Sequence, residues 1–76
     1  MSMKKITEIE KRIGTYFIKV EYSNMTTDEM IKEIEMVLYC MCKVFFIITR
    51  GEKTTYVTYE ASSLNSIADA FGEYEI

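Results

Sequence analysis

The stretch MKKITEIEKRIG, residues 3–14, decides the fold because it supports two readings. Met3, Ile6, Ile9 or Glu10, and Ile13 recur at helical spacing, and Gly14 stands where a helix receives its left-handed cap. This spacing predicts a helix over 3–13. The same Ile- and Thr-containing residues leave open a strand that runs into a turn at Gly14.

Outward from that stretch the pattern is plainer. Tyr16, Ile18, Val20 and Tyr22 alternate with Phe17, Lys19 and Glu21, the period of a strand with one buried face. Ser23 and Asn24 end it. Thr26 with Glu29 three residues on forms a capping box, and Asp28 and Glu29 suit the positive end of a helix dipole. Met30, Ile34, Val37 or Leu38, and Met41 then recur on one side, which predicts a helix through about Cys42. Its second half, Met36 to Cys42, is apolar nearly all round, so both faces are expected to be covered, or one of them by a partner molecule.

Val44 to Thr49 is β-branched or aromatic at almost every position and reads as a fully buried strand. Arg50 to Lys53 form a turn, and Thr54 to Glu60 alternate again, with Val57 and Tyr59 on one face and Tyr56 and Thr58 on the other. Ser62 or Ser63 caps a last helix carrying Leu64, Ile67, Ala68 and Phe71, stopped at Gly72; Glu73 to Ile76 read as a tail. The expected fold is an α/β domain of the α+β type over residues 1–76, in the order α-β-α-β-β-α. Its three-stranded sheet, mixed or antiparallel, packs against the helices. A right-handed crossover through the Met25–Cys42 helix would set Tyr16–Tyr22 parallel to one hairpin strand.

Seventy-six residues suffice for one core, and 49% apolar residues with six Tyr and four Phe are ample to fill it. A domain this small gains little net stability from its own core, and self-association is a common remedy, so a homodimer is one expectation. The net charge of -3 is uneven: residues 1–22 sum to +2, 23–43 to -2, 44–59 to +1 and 60–76 to -4. The one basic grouping, Lys4, Lys5, Lys11 and Arg12, is interrupted by Glu8 and Glu10, a poor footprint for nucleic acid. No apolar run approaches the length of a membrane span, and none near Met1–Lys5 resembles a signal peptide. Cys40 and Cys42, two apart within an apolar run, read as small core residues of a reducing compartment, and a cytoplasmic site, in the source or in a host cell, is expected.

Catalytic chemistry finds little footing. With no histidine, the usual general base and nitrogen metal ligand are absent. Two cysteines at i and i+2 cannot clamp a zinc ion without a second pair. Glu29 and Glu33 share a helix face, yet local sequence ties no third acid to them, and Gly14, Gly51 and Gly72 open no phosphate loop. No enzyme activity, cofactor or metal is therefore expected.

What remains is binding to another macromolecule, at one of two surfaces. Asp28, Glu29, Glu33 and Glu35, with Asp69, Glu73 and Glu75, could dock by charge on a partner with a basic surface. The second surface is the sheet face on which Phe17, Phe46 and Tyr56, with Ile48, would project as an apolar patch. Size and composition suit an inhibitor or adaptor of a nucleic-acid-handling protein, of the kind mobile elements encode; a nucleic-acid binder using the basic N-terminal residues and a structural homo-oligomer are the rivals.

Overall fold

The computed structural model describes residues 3–40 and 42–72. Six elements follow in order: β1 (Met3–Arg12), β2 (Thr15–Ser23), α1 (Thr27–Tyr39), β3 (Cys42–Arg50), β4 (Thr54–Ala61) and α2 (Leu64–Phe71). The deciding stretch is a strand, not the expected helix over 3–13. It pairs antiparallel with β2 across the Ile13–Gly14 turn, where Gly14 takes a left-handed φ of 70°.

The misleading three-residue spacing has a local cause. The β1–β2 register shifts between Ile6 and Glu8, so Thr7 is an extra residue and Ile6 and Ile9 face the same side, opposite Val20 and Ile18. The bulge is pinned by the Thr7 hydroxyl, which donates to the carbonyl of Lys19 at 3.2 Å. A bulge thus turned period two into period three.

The sheet therefore has four strands, not three, in the order β1-β2-β4-β3, and every neighbouring pair is antiparallel. The expected parallel pairing of β2 with a hairpin strand does not occur, because β4 returns between β2 and β3. Both helices pack on one face. Ile18, Val20 and Tyr22 of β2 and Val57, Tyr59 and Ala61 of β4 meet Val37 of α1 and Ile67 and Ala70 of α2 in the core.

Helix ends follow the sequence closely. Thr26 caps α1 reciprocally: the Glu29 N–H donates to Thr26 Oγ1 at 3.2 Å, and the Thr26 N–H donates to the Glu29 carboxylate at 3.0 Å. Ser63 caps α2, accepting from the Ser66 N–H at 3.2 Å, and Gly72 closes it at a φ of 70°. However, α1 ends at Tyr39 rather than near Cys42. Cys40 is its cap, and Cys42 already opens β3, buried at 2% exposure. Met41 and the Glu73–Ile76 tail lie outside the described residues. Among the described residues no helix is long and apolar enough to cross a membrane.

One polar pair sits inside this core. The hydroxyls of Tyr22 and Tyr59 are 2.6 Å apart and both side chains are buried. Burial pushes the Tyr22 phenol up to about 12 and shifts Tyr59 in the same direction, so the fold favours both neutral forms. Stability should accordingly be complete below the ordinary tyrosine pKa of 10.0 and fall as pH rises from there towards about 12. In urea titrations, Tyr22→Phe or Tyr59→Phe alone should cost about 1–3 kcal/mol by stranding the other hydroxyl. The double substitution should cost less than the sum of the two.

Candidate protein-binding face

The face of the sheet turned away from the helices has no covering layer among the described residues. Strand registers arrange it in rows across the four strands: Lys5–Glu21–Tyr56–Ile48, Glu8–Lys19–Thr58–Phe46, and Glu10–Phe17–Glu60–Lys43. A second bulge, at Phe45 on β3, flanks the central row from the opposite edge to the Thr7 bulge. Bulges at both ends of one row bend the edge strands and sharpen the local twist. The result is a shallow depression whose walls include Glu8, Arg12, Phe17, Phe45 and Phe46.

Aromatic side chains occupy one end of this face. Phe45 stands edge-on to Phe17, with ring centroids 5.1 Å apart, and edge-on to Phe46 at 5.4 Å. Phe45 and Phe46 remain 57% and 42% exposed. Beneath them, Thr58 is 7% exposed, and its hydroxyl is buried without a hydrogen-bond partner among the described residues. Such a group is unusual, since most buried polar atoms are paired. Tyr56 lies towards the other end, opposite Glu21, whose carboxylate holds the phenol above its ordinary pKa, with Arg50 5.9 Å from its ring.

Phe17, Phe46 and Tyr56 are thus on one face, as their alternation indicated, while the acidic candidates of α1 lie in the opposite layer. Two of the four acids of α1 serve the fold. Glu29 is held by the Thr26 cap, whose backbone and hydroxyl bonds keep its carboxyl below the ordinary range. Glu33 accepts from Lys4 Nζ of β1 at 3.0 Å. Asp28 and Glu35 lie on the helix's exposed side, and Glu73 and Glu75 are outside the described residues.

The basic residues are likewise divided. Lys4 and Lys11 lie on the helix side of β1, Lys11 5.9 Å from the Tyr16 ring, while Lys5 and Arg12 lie on the open side, Arg12 paired with Glu10 at 2.9 Å. Cys42 is packed away, its thiol pushed up by burial, and both cysteines are free. Sequence reading missed two members of the site. Phe45 looked like any residue of a buried strand, although two adjacent Phe reach one face only through a bulge. Nothing in the sequence marked Thr58.

No protein-family model matches this chain, and it has no significant match among curated proteins or solved structures. The orphaned hydroxyl has a measurable consequence in the chain by itself. Thr58→Val keeps the shape and removes the unpaired group, so it should raise the urea midpoint, by about 1 kcal/mol of stability; a loss of stability would mean that the hydroxyl is satisfied in solution.

Proposed function

We propose that this chain is a protein-binding module, an inhibitor or adaptor in kind, that docks another protein on the open sheet face around Phe17, Phe45 and Phe46. The observation that carries this reading is the aromatic cluster above the unpartnered Thr58 hydroxyl, ringed by charges of both signs. An aromatic centre within a polar rim is the anatomy of a protein-binding hot spot. The partner segment would place an apolar side chain against the three rings and a hydrogen-bonding group within reach of Thr58.

The charges favour protein over nucleic acid. Lys5, Arg12, Lys19, Lys43 and Arg50 alternate on this face with Glu8, Glu10, Glu21 and Glu60, so a phosphate backbone laid across it would meet carboxylates as often as cations. A partner bearing both signs is complementary to such a rim. The acidic face of α1 supports docking on a basic groove less well, because Glu29 and Glu33 are engaged within the chain. A cytoplasmic setting suits the two free thiols.

Capture from the native cell or host identifies the partner, and titration of the purified partner against Phe17→Ala then tests the face. Phe17 sits on β2 with its side chain away from the core, so the fold should persist while affinity falls about tenfold or more. Unchanged affinity in a folded Phe17→Ala protein would overturn the proposal. So would salt-sensitive, micromolar binding of single- or double-stranded DNA or RNA in a filter assay, which would restore the nucleic-acid reading.

A further inference from the structure

The six-residue run Val44–Thr49 has the composition of a strand covered on both faces, yet β3 is an edge strand. Val44, Phe45, Phe46, Ile47 and Ile48 are 36%, 57%, 42%, 51% and 43% exposed. Both faces are open at once: Val44 and Ile47 lie on the helix side, opposite Tyr59 and Val57, and Phe46 and Ile48 lie on the other. The outer row of backbone N–H and C=O groups of β3 has no neighbouring strand among the described residues. The sequence supplies a buried central strand, and the described residues do not bury it.

We infer that β3 is the interface between two copies of this chain, paired antiparallel about a two-fold axis so that two four-stranded sheets become one of eight strands. Four observations argue for a second copy as the occupant. First, of the two sheet edges among the described residues, that of β3 is the less guarded. β1 occupies the other edge and carries charge at six of its ten positions, the usual device that discourages strand addition, whereas β3 is charged only at Lys43 and Arg50, towards its ends.

Second, the strand is complementary to itself. In an antiparallel pair centred on Ile47, Ile47 meets its own copy on the helix side and Phe46 meets Ile48 on the open side. At the ends of the paired segment the Phe45 bulge sets Lys43 against Arg50 of the second copy, like charges that Glu60, opposite Lys43 on β4, offsets. Third, the apolar surface continues onto α1. Glu33 points to Lys4 on the β1 edge, and Ile31 and Leu38 lie about 140–160° around the helix from it, hence on the β3 side. Both are exposed, at 48% and 44%.

Fourth, the area is sufficient. At about 200 Å² for a fully exposed large apolar side chain, the exposures of Val44–Ile48, Ile31 and Leu38 amount to roughly 650 Å² on one copy. That ceiling, reached when all of it is covered, lies at the lower end of the about 600–1,000 Å² that each partner of a stable interface buries. Phe45 and Phe46 also belong to the docking face proposed above, so a dimer that covers them narrows that face to Phe17 and its neighbours. The dimer itself does not depend on that proposal.

Sedimentation of the full chain across a wide range of micromolar concentrations tests the inference. The wild type should reach twice the mass of one chain, and Ile47→Lys and Leu38→Glu should each weaken dimerisation by about tenfold or more while retaining a cooperative melt. A concentration-independent wild-type monomer overturns the inference, whether the edge then takes another protein's strand or none. A dimer that persists unchanged in both variants places the interface elsewhere and overturns it equally. Should a variant fail to fold, amide exchange of the wild type decides: Phe46–Arg50 must be protected in the dimer and lose protection on dilution, and exchange as a free edge refutes the pairing. Phe17→Ala leaves β3 intact, so loss of partner binding and loss of dimerisation are separately readable.

Discussion

The antiparallel pairing of β2 with β4 is the constraint on which the rest of the molecule depends. It joins two hairpins separated in sequence by α1, aligning Ile18 with Tyr59 and Val20 with Val57. All four are fully buried, and both helices pack over them. Each outer strand then inherits its position from a local turn, β1 through Gly14 and β3 through Gly51. Because the central pair is long-range, its formation requires closing a long loop before the contacts it makes can stabilise the chain. The hydrogen-bonded Tyr22 and Tyr59 come one from each of these two strands, tying the hairpins together inside the core.

Much of this architecture was legible. The alternation of Tyr16–Tyr22, the Thr26–Glu29 box, the hairpin about Gly51 and the capped last helix all stand where local pattern put them, because each depends on neighbours in sequence. The failures within the sheet share one physical cause, the bulged edge strand. At Thr7 the extra residue gave Ile6 and Ile9 the spacing of a helix, and at Phe45 it sent two adjacent phenylalanines to one face. A missing first strand then removed an edge from the sheet, so that β2 was given an outer place and β3 was read as interior.

The candidate site was half legible for the same reason. Phe17, Phe46 and Tyr56 share a face because strand alternation requires it, and composition alone could assign them. Thr58 could not be found this way, since its burial arises from Lys19 and Phe46 on two neighbouring strands, brought together by register. The acidic helix was overrated because sequence does not reveal which carboxylates are already bonded. Glu33 meets Lys4 across a separation of 29 residues, beyond any local rule.

The unequal charge of the two sheet edges has a further consequence. A sheet whose edges were both apolar would have two valences and could grow without limit into a ribbon. The six charged residues of β1 would leave this chain with one, so that the proposed assembly through β3 would close on itself after a single step rather than propagate into a fibre. The charges of β1 would therefore set a finite stoichiometry.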